Sequence, residues 1–171
     1  GINTSNIVAG GIFGAYFNLS GAKVISNNST IRNCGIGVNF GPYGYSGPWL
    51  SWGDQSSFEN TSFVNCGSGV VLQGNLGVEF KNSSFTGARN IGIEVINSQI
   101  DVTGCDFSGS IGIYFSATWP SLIGSNISNN SFFSIDGINM ETQGNATHHQ
   151  ITGNFFGCDD GVIIYGQAAF N

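Results

Sequence analysis

The chain has 171 residues, a formal net charge of −6 and only 8% charged residues, with four Lys plus Arg against ten Asp plus Glu. So few cations cannot line a phosphate backbone, which argues against nucleic acid as a partner, and no run of 18 apolar residues offers a membrane span. An apolar content of 40% argues against disorder, and 27 Gly and 20 Asn beside many Phe, Ile, Val, Ser and Thr spell short strands and tight turns.

Residues 1–13, GINTSNIVAGGIF, carry no apolar stripe at helical spacing and so no amphipathic capping helix. The start at Gly1 reads as a processed protein or an excised fragment. The first strand signal follows Gly14, as Ala15-Tyr16-Phe17. The same signal returns after Gly37, Gly69, Gly92, Gly112, Gly137 and Gly161, as in Val38-Asn39-Phe40, Val70-Val71-Leu72 and Ile93-Glu94-Val95. The first and third residues are nearly always apolar, which is the period of a strand with those two inward and the middle one outward.

A second column runs Ile31, Phe63, Phe85, Phe107, Phe132 and Phe156, at spacings of 32, 22, 22, 25 and 24. Three residues before it stand Asn28, Asn60, Asn82, Gly104, Asn129 and Gly153, the two residue types that accept positive φ most cheaply. Two residues after it stand Asn33, Asn65, Gly87, Gly109, Ser134 and Cys158, a looser second turn. A period of 20–25 residues with three short strands is the pattern of a solenoid, in which no coil buries its own apolar face and neighbours stacked at ~4.8 Å do so together. The expected fold is all-β: one parallel β-helix domain over 1–171, of about seven coils with three short strands each. At Asn60-Thr61-Ser62-Phe63-Val64-Asn65, running on to Gly69-Val70-Val71-Leu72, the chain resembles the right-handed parallel β-helix superfamily. That group includes pectate-lyase-like enzymes, phage tailspikes and β-helix repeats of surface proteins, so the resemblance implies a fold and says little of function.

The repeat is broken along one edge, by longer insertions at 41–57, 116–125 and 141–150. The first holds Tyr43, Tyr45, Trp49 and Trp52, and the second Trp119. These aromatics either contact a glycan or a partner, or fold back to shield a sheet flank. Nine N-x-[ST] sequons occur, at Asn3, Asn18, Asn27, Asn28, Asn60, Asn82, Asn126, Asn129 and Asn145. They read either as N-glycosylation sites or as by-products of a turn column that places Asn two residues before Ser or Thr. Cys34 and Cys66 share one column in successive coils, close enough for a disulfide or a reduced stacked pair. No cysteine and histidine spacing suggests a metal site, and no cofactor motif occurs.

For chemistry, the best carboxylates are Asp136 and Asp160, each preceding a repeat Gly and expected one coil apart, and Glu94, outward in mid-strand with Tyr114 and Asn139 in its column. Paired carboxylates of this kind could cleave a polysaccharide, or the Asp could simply be turn residues bonded to local backbone. With no convergent cations, the reading leans away from an enzyme. The expectation is a structural, secreted, cell-surface or virion subunit that pairs with copies of itself into a fibre, with polysaccharide contact through edge loops. The alternative is a fragment of a tailspike or pectate-lyase-like depolymerase.

Overall fold

A computed structural model describes residues 2–4, 11–17, 24–40, 56–74, 77–117, 124–147 and 149–169. Every regular element among them is a β-strand, and no helix among the described residues is long and apolar enough to cross a membrane. All the strand pairings are parallel. One sheet stacks seven short strands: Ile2–Thr4, Val24–Asn27, Ser57–Glu59, Val78–Lys81, Ile100–Thr103, Asn126–Ser128 and Gln150–Thr152. The other eleven strands form a second sheet, which bends around the core as two columns. Consecutive members of each column are one sequence repeat apart, so the chain is a parallel β-solenoid, as its periodicity predicts.

The turn columns make this register. Asn28, Asn60, Asn82 and Asn129 take φ of 50°, 50°, 47° and 56°, and Gly104 and Gly153 take 65° and 64°, all left-handed. Asn pays little for that conformation because its short amide bonds locally. The second turn column divides. Asn33, Asn65 and Gly87 are left-handed at 57°, 53° and 64°, but Gly109 sits at 156° and Ser134 and Cys158 have no positive φ. The cause is a change of corner length. Six residues run from Ile31 to Gly37 and from Phe63 to Gly69, seven from Phe85 to Gly92, and five from Phe107 to Gly112, Phe132 to Gly137 and Phe156 to Gly161. The sheet absorbs the step as register shifts between Thr86 and Ala88 and between Ala88 and Ile91.

Inside, like stacks on like. Phe63, Phe85, Phe107, Phe132 and Phe156 lie face to face at centroid separations of 4.8, 4.8, 4.8 and 5.0 Å. A second, shorter stack joins Phe58 and Phe80 at 5.2 Å. The glycine column serves this packing. A Cβ on Gly92 would lie 2.5 Å from the carbonyl oxygen of Gly112 and 2.9 Å from the Phe107 ring, and Gly69, Gly112 and Gly137 repeat the arrangement. The first and third residues of the Gly-led strands join the core, from Val38 and Phe40 to Ile138 and Met140. The middle residues point away from it, as expected, yet Asn39, Val71 and Asn139 are buried, so part of the outer face is covered.

The strand Asp136–Thr147 runs on into the 141–150 stretch and pairs with Asp160–Ala169, with an irregular register between Thr142 and Ala146. Tyr43, Tyr45, Trp49, Trp52, Trp119 and Asn18 lie outside the described residues.

Candidate functional site

Two surfaces differ from the rest of the rod. The first is the outer face of the Gly-led column. Glu94, Tyr114 and Asn139 are in register in successive coils, and one column along stand Ile96, Ser116, Glu141 and Tyr165. The Tyr114 hydroxyl donates to Glu141 Oε2 at 2.7 Å, across one coil boundary. Burial first, and then this carboxylate, push the Tyr114 phenol up to about 12. Burial also raises Glu94 above the usual carboxylate range. Asn139, beside them, keeps an unpartnered buried Oδ1. The result is two carboxyl groups flanking a tyrosine, with Glu94 and Tyr114 half-buried and Glu141 exposed. Glu141 escapes a column-by-column reading because it reaches back to the previous coil from two residues further along.

Asp136 and Asp160 are in register one coil apart, as the spacing predicts. Asp160 and its neighbour Asp159 are exposed, and Asp136 is half-buried. No group of three or more His, Cys, Asp or Glu able to hold a metal occurs among the described residues. On the outside of the seven-stranded sheet, Glu79 bonds Lys81 at 2.6 Å, and Asp101 is raised chiefly by burial, with the stacked Glu79 adding to it.

Asn28, Asn60, Asn82 and Asn129 are exposed at their left-handed turns and Asn27 is exposed at the end of a strand, whereas Asn126 is half-buried in a strand. Asn3 and Asn145 lie on described strands, but their side chains are outside the description. Cys34 and Cys66 are buried neighbours in the thiol form, one coil apart.

The second surface is the C-terminal coil. Along one inward column exposure is 0% at Ile113 and Ile138, then 40% at Val162; along the next it is 0% at Phe115 and Met140, then 38% at Ile164. These are core positions whose covering coil is not among the described residues. Beside them two outward columns change character. One reads Thr30, Ser62, Ser84, Asp106 and Ser131 before ending in Phe155. The other reads Arg32, Val64, Thr86 and Ser108, and Phe133 is the next residue after the paired Phe132. Phe133 and Phe155 are 60% and 58% exposed, with their rings 5.6 Å apart, and Ile135 and Tyr165 are each 57% exposed. The signal for this patch was in the sequence, as large aromatic residues where earlier coils carry mostly small polar ones.

A scan against protein-family models, a search of curated proteins and a search of solved structures each return no match. The functional reading therefore rests on these two surfaces.

Proposed function

We propose that the chain is a structural β-solenoid unit that stacks head to tail on further copies of itself, in a secreted, cell-surface or virion fibre. The observation that carries this reading is the apolar surface of the last described coil, where Val162 and Ile164 in the core columns are exposed beside Phe133, Phe155 and Ile135. An open strand edge above an apolar ladder is a template for another parallel coil of the same spacing. A second copy offers that spacing and the same column chemistry. A head-to-tail contact is heterologous and does not close, so it propagates into a filament. The edge insertions, with Tyr43, Tyr45, Trp49, Trp52 and Trp119, would then be free for glycan contact.

The test is electron microscopy and sedimentation of the purified chain over a dilution series, beside the double variant Val162→Lys/Ile164→Lys. Filaments in the wild type and dispersed monomers in the variant, with unchanged far-UV circular dichroism, are expected. Monomers at every concentration, or discrete closed oligomers, would sink the reading.

A second reading, a fragment of a polysaccharide depolymerase, is favoured by one observation, the Glu94, Tyr114 and Glu141 cluster. Burial raises the Glu94 pKa, a direction that suits a carboxyl to general acid work beside a second carboxyl group. On that reading Glu94→Gln and Glu141→Gln each remove reducing-end product from a polysaccharide panel. Product that survives both substitutions, or none from the wild type, counts against it.

A further inference from the structure

Cys34 and Cys66 present a site that stacking does not use. Arg32 pairs with Val64 and Ile36 with Ser68, so the register carries Cys34 directly onto Cys66 in the next coil. The Gly67 amide donates to the Cys34 carbonyl at 2.8 Å, and a Cβ on Gly67 would lie 2.5 Å from the oxygen of Gly35, so the two backbones are in close contact at this corner. Both thiols take the same local arrangement. Cys34 Sγ donates to the Arg32 carbonyl at 3.2 Å, and Cys66 Sγ lies 3.7 Å from the Val64 carbonyl and 3.9 Å from that of Ile31, in the coil of Cys34. Strand neighbours at ~4.8 Å fall within the Cα range that a disulfide spans. A cavity of about 540 Å³ lies against this corner, lined by Asn33, Cys34, Gly35, Asn65, Gly67 and Arg89. Asn33, Asn65 and Arg89 on its wall are solvent-exposed and Cys34, 5% exposed, is on the same wall, so a small reagent held there lies next to Cys34, and the Arg89 guanidinium suits an anionic one.

We propose that Cys34 and Cys66 form an oxidisable cross-link between successive coils, closed by exchange with a small anionic disulfide that enters this cavity. The Cys34 thiolate attacks one sulfur of the reagent, breaking its S–S bond and releasing one thiolate. The Cys66 thiolate then attacks the Cys34 sulfur and expels the second. The protein gives up two electrons and two protons, and the reagent leaves as two thiols. Burial, and then the neighbouring Cys66, hold the Cys34 thiol up at about 11, so exchange is slow near neutral pH and accelerates as the pH rises.

The placement gives the bond a purpose. Other coils close in 22 to 25 residues, but this one takes 32 because it contains the 41–57 insertion. The longest coil is the one with most closure entropy to lose, and a cross-link at its base removes that cost from the folded side of the balance.

The experiment treats the native chain with oxidised glutathione at about pH 8.5, then maps cysteines by mass spectrometry after blocking thiols. The expected product is about 2 Da lighter than the starting chain, joins the Cys34 and Cys66 peptides, and has a Tm roughly 5–10 °C higher that reductant restores. In Cys66→Ala the same treatment leaves a glutathione adduct on Cys34. A stable adduct on Cys34 of the wild type would overturn the proposal, since Cys66 would then be out of reach. So would bridging through Cys105 or Cys158, or a native chain whose Cys34 and Cys66 stay unmodified under conditions that oxidise the unfolded chain.

Discussion

At the residue scale, the fold depends on positions where a single atom decides. Gly92 is one. Its backbone is not left-handed, so conformational freedom is not the reason for glycine there. The reason is contact: the hydrogen that replaces Cβ faces the Gly112 carbonyl oxygen 2.5 Å from where a methyl would sit, with the Phe107 ring 2.9 Å away. Neither neighbour can retreat, because one is backbone in the sheet ladder and the other is held in the ring stack at 4.8 Å on both sides. Gly92→Ala is therefore expected to cost about 2–3 kcal/mol of stability in urea denaturation. Gly74 is the opposite case, with φ of +67° and nothing within 4 Å of its would-be Cβ. Gly74→Asn should change stability by less than about 0.5 kcal/mol, since the surface is open and Asn accepts that φ elsewhere in this chain. If Gly92→Ala proves as mild as Gly74→Asn, the contact explanation of the glycine column is wrong.

At the scale of the strand and its turn, the chain repeats roles, and roles are harder to read than residue types. The Phe stack and the Asn and Gly turns were legible because the same residues recur at a fixed phase. The column after the first turn was not, because its members differ: Ser29, Thr61, Ser83, Cys105, Asn130 and Asn154. Several of them accept a backbone N–H from the coil before. Thr61 donates to Ser83 Oγ at 3.1 Å, Ser83 to Cys105 Sγ at 3.4 Å, Cys105 to Asn130 Oδ1 at 2.8 Å and Asn130 to Asn154 Oδ1 at 2.9 Å. Each corner thereby pairs an amide that the sheet ladder leaves over, inside a core where leaving it unpaired would be costly. Any small acceptor serves, so the sequence shows only polar variety. His149 does the same at another corner, where Ser125 N–H donates to its Nδ1 at 3.2 Å and burial lowers its pKa. The change of corner length between the Phe85 and Phe107 coils was hidden for a different reason. Gly87 and Gly109 look alike in an alignment, yet one is a left-handed turn and the other nearly extended. The candidate carboxylates divide in the same way. The Asp136 and Asp160 register followed from spacing, while the Glu141 to Tyr114 bond needed a side chain to cross between coils, which no column predicts.

At the scale of the whole molecule, a solenoid is nearly one-dimensional, and each coil is stabilised mainly by its two neighbours. The last described coil has one neighbour among the described residues, and its exposed Val162, Ile164, Phe133 and Phe155 are the surface that the proposed stacking would bury. Opposing that gain is charge. The chain carries a net −6, and Asp159 and Asp160 are exposed beside the very edge that would pair. A docking copy brings its own negative charge toward them. Apolar contact drives assembly on this account, and electrostatic repulsion limits it. Salt shortens the reach of that repulsion, from a Debye length of ~30 Å at about 0.01 M to ~10 Å at about 0.1 M. Raising sodium chloride across that range and on to about 0.5 M should lower the concentration for half-assembly several-fold, on the order of tenfold. Asp159→Asn/Asp160→Asn should assemble at low salt and lose most of that dependence. A contact held by ion pairs between copies would respond in the opposite sense, with salt dissolving the filaments. Sedimentation velocity at a fixed chain concentration over a salt series separates the two, and assembly that weakens as salt rises would refute an apolar end-on contact.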